Sequence, residues 1–295
     1  QLRISITPLL INLQGNTHYS QTVSKIMCAD TVGALISPII SAYWLLSSTA
    51  HSEGNWHSET TFFTLMSITF FIIALLCRRV HFTDNNSNPN INMEALKKSL
   101  RIKSIQKGSL STFIFIGLEF AIPTFIGIYV NDSLAIQTTQ ATTFISAYWT
   151  LLLIGRIMSF QLLKIIHPQE MIKYGSIIAV TIILLSMLST AQYLPAILTT
   201  LGLLNSFMFP CIFAIHTKKL EPETHFYASS IFLMAFSGGA VIPFLQALAA
   251  KQVGITGSFG LIVACYLTLI WQTHKNSSKN LGQETSQTPA ESTYN

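Results

Sequence analysis

Residues 109–130 read SLSTFIFIGLEFAIPTFIGIYV, an apolar run that carries one charged side chain, Glu119, and a proline, Pro123, one helical turn after it. About 20 such residues are what an α-helix needs to cross the ~30 Å hydrocarbon layer of a bilayer. A carboxylate at that depth costs at least ~2.5–3.5 kcal/mol, so it must be protonated, paired or wetted by a cavity. Pro123 has no amide hydrogen, and its ring displaces the carbonyl of residue 119. Backbone and side chain therefore become available at one depth. Polar backbone inside a membrane is tolerated where it lines a cavity, and transport proteins build binding sites from such interrupted helices.

Working outward, comparable apolar runs lie at about 26–48, 60–80, 141–163, 172–191, 194–216, 226–250 and 256–272, making eight in all. We designate the eight, in chain order, spans A to H. The whole chain of 295 residues is 50% hydrophobic and 10% charged, against roughly 25% charged in an ordinary soluble domain. Its mean hydropathy is +0.48. This composition excludes a secreted disulfide scaffold, a disordered tail and a nucleic-acid binder. Cys28, Cys77, Cys211 and Cys265 lie in apolar blocks without metal-like spacing, which reads as packing or lipid contact. No signal peptide is visible, and the first residue is Gln1.

The separators fall into two sets. Of 17 basic residues, only Lys251 lies in the loops after spans A, C, E and G. The positive-inside bias then places both ends of the chain on the cytoplasmic side and requires an even number of crossings. The longest connection, 80–107, opens with polar turn material. It continues as MEALKKSLRIKSIQKG, which reads either as a basic amphipathic helix with Leu96, Leu100 and Ile105 able to touch the membrane interface or as a solvated linker.

Two of the 12 acidic residues lie inside spans, Glu119 and Asp30. Asp30, near a span end, reads as structural, within reach of Lys25. Pro38, Pro210 and Pro243 repeat the proline device in spans A, F and G. Asn205 and Gln246 accompany the last two: an amide there can grip a sugar hydroxyl or join helices, and for Gln246 the joining role is favoured. Small residues recur at helical spacing in spans A (Ala29, Gly33, Ser37, Ser41) and D (Ala147, Gly155, Ser159), and cluster in G (Gly238, Gly239, Ala240), which permits close helix approach, static or sliding. Trp149 offers a flat face suited to a pyranose ring, whereas Tyr148 reads as interfacial belt. His216 is the one histidine placed inside a span. No HExxH, paired CxxC, Walker loop or GxSxG occurs, so nothing indicates a metal site, a cofactor or an enzyme.

The stretches GLEFAIPTFIGIYV, WTLLLIGRIMSF, GLLNSFMFPCIFAI, FLMAFSGGAVIPFLQALAA and SFGLIVACYLTL resemble, in order and spacing, the last six helices of the fucose/galactose/glucose proton symporters of the major facilitator superfamily. DTVGALISPI resembles that family's fifth helix, and ITPLLINLQG the end of its fourth. The resemblance implies an all-α membrane protein with eight of twelve transmembrane helices present. Residues 1–80 would end the N-terminal bundle, 81–108 form the cytoplasmic inter-bundle loop, 109–272 the six-helix C-terminal bundle, and 273–295 a disordered cytoplasmic tail. Glu119, Trp149, Arg156 and Asn205 match the family's seventh-, eighth- and tenth-helix residues. Ile128, Asp30, Met27 and Ala250 depart from its pattern of Asn, Asn, Gln and Asp.

The implied function is proton-coupled uptake of a hexose (glucose/galactose or fucose) by alternating access, by a monomer in the bacterial inner membrane. The expected partners are a small-molecule sugar, a proton and the lipid bilayer, with no nucleic acid. Glu119, Asn205, Trp149 and Gln246 would contact substrate, and Pro123, Pro210, Gly238, Gly239 and Pro243 would break helices or gate. The family's proton-coupling carboxylates lie in helices that this chain lacks. Rival readings are an N-acetylglucosamine or other sugar permease, a non-functional truncated transporter, and a polytopic enzyme acting on lipid-linked sugars.

Overall fold

The computed structural model describes residues 32–33, 56–79, 93–134, 138–218, 220 and 222–284. Apart from Val32 and Gly33, span A lies outside these residues, with Lys25, Met27, Cys28, Asp30 and Pro38. The chain divides into two compact units, 33–93 and a second formed by 1–32 with 94–295. The described part of the first is essentially one helix, α1 (Trp56–Arg79). It corresponds to span B and carries the apolar stretch Phe63–Leu76. Three of its hydroxyls turn back into the helix: Thr64, Ser67 and Thr69 donate to the carbonyls of Thr60, Phe63 and Leu65 at 2.7–2.9 Å. Such back-bonding to residue i−4 lets Ser and Thr sit on an apolar surface without an unsatisfied donor.

The second unit holds α2 (Met93–Leu100), α3 (Lys103–Asp132), α4 (Thr138–Ile165), α5 (Pro168–Leu188), α6 (Leu194–Thr199), α7 (Leu201–Asn205), α8 (Met208–Thr217), α9 (Pro222–Met234), a 3₁₀ turn (Ala235–Ser237) and α10 (Gly238–Glu284). Among the described residues, five helical stretches are long and apolar enough to cross a membrane. This is a multi-pass, all-helical membrane protein. Span C is the hub: α3 packs on α4, on all three pieces of span F, on α9 and on α10. It begins at Lys103, several residues before the apolar run that announces it.

No loop separates span G from span H, yet they are not one rod. Forty-seven residues from Tyr227 to Thr273 would extend ~70 Å, more than twice a bilayer core. Gly254 adopts φ 77°, ψ 166°, a conformation essentially restricted to glycine, and there the chain reverses. Gln246 Nε2 then reaches Ser258 Oγ at 3.3 Å, where a straight helix would separate the two residues by ~18 Å. The second arm runs on to Glu284. The segment after Thr273, read from sequence as disordered tail, is therefore helical up to that point.

The prolines behave differently from one another. Span F is cut into three pieces. The lower break, at Ser206–Phe207, lies where Pro210 withholds the amide that would have bonded Ser206. Thr200 and Ser206 mark the two breaks, and each hydroxyl donates to the carbonyl three residues back, of Ile197 at 2.7 Å and Leu203 at 2.6 Å. In span G the helix is interrupted at Ala235–Ser237, before Gly238, and Pro243 lies inside regular helix. Pro123 likewise leaves α3 unbroken. Small residues seat helices against one another: a Cβ on Gly238 would run into the Phe113 backbone, and one on Gly155 into Ser206. Replacing Gly254 by alanine should cost about 1–3 kcal/mol through its backbone conformation alone, read as a lowered unfolding midpoint in detergent. Gly260, where an added methyl would meet nothing within 4 Å, is the matched control and should tolerate alanine.

Candidate functional site

Glu119 and Arg156 meet in the middle of the bundle. Arg156 Nη2 lies 2.5 Å from Glu119 Oε1, with the two side chains 1% and 6% exposed for Arg156 and Glu119 respectively. α3 supplies the acid at its midpoint and α4 the base. An isolated charge is intolerable in this setting, and a close ion pair with further hydrogen bonds is the arrangement that relieves it. Of the three ways to accommodate a buried carboxylate, the chain uses pairing.

A chain of hydrogen bonds extends from the pair. The Tyr148 hydroxyl donates to the Glu119 carbonyl at 3.4 Å, the acceptor that Pro123 leaves without its helical amide. Asn205 Nδ2 donates to the Tyr148 hydroxyl at 2.9 Å. The Tyr266 hydroxyl in turn donates to Asn205 Oδ1 at 2.6 Å. Spans C, D, F and H are thereby joined at one depth. Tyr148, Asn205 and Tyr266 are fully buried. Tyr148 is thus a core residue and not part of an interfacial belt, which corrects the expectation from its position near a span end.

The residues singled out from the sequence are distributed as follows. Glu119 and Asn205 belong to this network, and Asn205 uses both ends of its amide inside it. Gln246 is fully buried and joins the two arms of α10. Trp149 is partly exposed. Its ring stands edge-on to Tyr148 at 5.6 Å and to Phe120 at 6.0 Å. Phe120, 44% exposed, lies over Gly239, where an added Cβ would come within 3.0 Å of its ring. Phe120, Thr124 and Trp149 thus form an open strip beside the buried pair. Gly238 and Pro243 lie in the neighbouring span, and Pro210 heads α8. His216 is buried and its carbonyl accepts from Ser104 at 3.0 Å. A separate small crevice, lined by Ser111, Gln169, His216 and Gln272 among others, lies near the start of α3, two turns or more from Glu119, and includes none of the network. No cluster of three potential metal ligands occurs among the described residues.

Sequence reasoning does not find Tyr266 or Phe120, nor the partnership of Arg156 with Glu119. The usable signal for the pair is that one acid and one base each sit alone inside a span. Tyr266 and Phe120, aromatic residues in apolar runs, carry no mark.

With this geometry in place, the chain can be set beside known proteins. Residues 5–244 match the Major Facilitator Superfamily family model, and the chain belongs to that superfamily. A glucose/galactose transporter of Brucella abortus is 20% identical over 270 residues, 90% of this chain and 65% of its own length. A putative glucose/galactose transporter of Helicobacter pylori is 28% identical over 184 residues, 60% of this chain and 45% of its own. The chain thus spans just under two thirds of the Brucella relative. Among solved structures, the E. coli fucose:proton symporter superposes with TM-score 0.75 at 17% identity, over 92% of this chain and 72% of that one. A bacterial homologue of the iron transporter ferroportin gives 0.63 at 16% identity, over 94% and 69%. These likenesses bear out the fold expected from the motifs.

Removing either charge alone should destabilise the bundle by about 3–5 kcal/mol, since the other is left buried and unpaired. Arg156→Gln combined with Glu119→Gln should recover much of that loss, and a thermal-unfolding double-mutant cycle in detergent measures it. Additive losses would show that the two groups are not coupled.

Proposed function

We propose that the chain is the sugar-handling part of a proton-coupled hexose permease working by alternating access. The observation that carries the reading is the buried ion pair Glu119–Arg156, linked through Tyr148 to the exposed Phe120 and partly exposed Trp149 rings. Both members of the pair are buried, and in this reading the Glu119 carboxylate is the group that accepts from a solute hydroxyl. A carboxylate accepts hydroxyl hydrogen bonds strongly in a medium of low dielectric. Phe120 and Trp149 present apolar ring surface of the kind that covers the C–H face of a pyranose. Acceptor and platform adjoin, as a sugar with one polar edge and one apolar face requires.

In this reading Glu119 and Trp149 contact the sugar. Asn205 acts through Tyr148, holding the Glu119 carbonyl, and Gln246 secures the arms of α10. Gly238, Gly239, Pro123, Pro210 and Pro243 lie where helices approach closely or lose a rung, and they are the positions at which the bundle deforms between exposures. Support for the substrate class comes from the glucose/galactose transporters and the fucose:proton symporter to which the chain is similar. Likeness to the symporter also supports coupling to protons. The working unit in this reading is a monomer in the bacterial inner membrane, with both chain ends in the cytoplasm, the side toward which the basic connections lie.

The test is uptake of labelled hexose by cells expressing the complete polypeptide. Glu119→Gln should lower transport by about 10- to 100-fold, the worth of a charged hydrogen bond, with the protein still present in the membrane fraction. Phe120→Ala should raise KM about three- to tenfold with kcat little changed. Accumulation should collapse on adding a protonophore. Competition by glucose, galactose, fucose and N-acetylglucosamine ranks the substrates. Unchanged uptake by Glu119→Gln would remove the carboxylate from the site, and preference for N-acetylglucosamine would replace the hexose.

A further inference from the structure

Helix α2 carries a surface that transport does not use. Its orientation is fixed from within: Leu96 and the following Ile102 pack on the core, Ser99 is buried, and Gln106 Nε2 donates to the Leu100 carbonyl at 2.9 Å. Ile105 is fully buried. Leu96 and Ile105 therefore face protein, which corrects the expectation that they touch the membrane interface. With the inner face occupied, Lys97, Lys98, Arg101 and Lys103 all point outward and are exposed. None of the four forms an ion pair with another described residue. Met93 and Leu100, 59% and 44% exposed, share that outer surface. Positions 93, 97, 100 and 101 fall on one helical stripe.

The depth of this stripe follows from α3. Thirty residues extend ~45 Å against a ~30 Å hydrocarbon layer, so its first turns emerge among the headgroups, and α2 immediately precedes them. Lys218, exposed, lies at the same end, because Ser104 ties α3 to the close of α8. Among the residues described there, Glu94 and Glu170 are the exposed acids, fewer than the bases. A topology signal alone requires basic residues but not an ordered helix docked with them outward. Met93 and Leu100 lie exposed beside the charges, where an interfacial position would bury them.

We propose that α2 is an interfacial helix whose outer face binds anionic phospholipid. Lys97, Lys98, Arg101 and Lys103 engage headgroup phosphates while Met93 and Leu100 enter the acyl boundary. The claim is independent of which solute the protein carries.

The test reconstitutes the complete protein in phosphatidylcholine vesicles with spin-labelled phosphatidylglycerol or spin-labelled phosphatidylcholine, and reads the relative association constant from the immobilised fraction. Phosphatidylglycerol should be preferred several-fold. The preference should fall at least about threefold in the variant Lys97→Gln/Lys98→Gln/Arg101→Gln/Lys103→Gln and also at high salt. Glutamine keeps the helix propensity, and an unchanged melting temperature would show the bundle intact. No preference in the unaltered protein, or an undiminished one in the variant, overturns the proposal. Loss of the preference on adding soluble glycerol phosphate would assign the site to a free anion and overturn it equally.

Discussion

The contact between Glu119 and Arg156 constrains everything else in the bundle. A carboxylate and a guanidinium within lipid are each prohibitive alone, and they become tolerable only as partners at 2.5 Å. That distance fixes the rotation of α3 and α4 about their axes and their relative height, because sliding either helix by one residue would separate the charges. Tyr148 is in turn placed beneath the Glu119 carbonyl, and Asn205 and Tyr266 are drawn into line behind it. One electrostatic demand thereby sets the register of spans C, D, F and H.

The rest of the architecture settles a second demand of the same origin, that no backbone group be left unsatisfied in an apolar medium. The prolines show how local context decides the outcome. Pro123 withholds an amide from Glu119, but a tyrosine hydroxyl takes the vacant carbonyl and the helix stays whole. Pro210 does the same to Ser206, where Asn205 is engaged sideways, and there the helix parts. Hydroxyls on apolar faces, such as Thr124, Thr181 and Thr268, are consumed by their own helices through bonds to residue i−4. Many hydroxyls are in this way turned back on their own backbone, while Tyr148, Asn205 and Tyr266 are gathered into the central network.

Legibility from the sequence follows the same physics. Helical crossings, their approximate limits and the family pattern can be read because lipid imposes a long and nearly uncharged signature. Glu119 stands out because it interrupts that signature. Its partner is harder to see: Arg156 counts equally well among the charges that set orientation, and no local pattern says that two residues 37 apart must touch. Tyr148 reads as interfacial for a related reason, since a span-end tyrosine is ordinarily amphipathic and only the neighbouring helices show it enclosed. The reversal at Gly254 falls in the short separator with Lys251 that divides spans G and H in the sequence. The inner face of α2 misleads because amphipathicity reveals which residues avoid water without telling whether protein or lipid receives them.

Span F has a mechanical consequence. Three short rods with absent rungs between them bend more readily than one rod of the same length, whereas α3 is continuous and hemmed in by its neighbours. Distortion within span F will concentrate around Thr200 and Ser206. Asn205 sits next to the second of these joints with a hydroxyl gripped on each side. Flexure there would pull on both tyrosines together and carry the strain, within two hydrogen bonds, to the backbone that bears the buried acid.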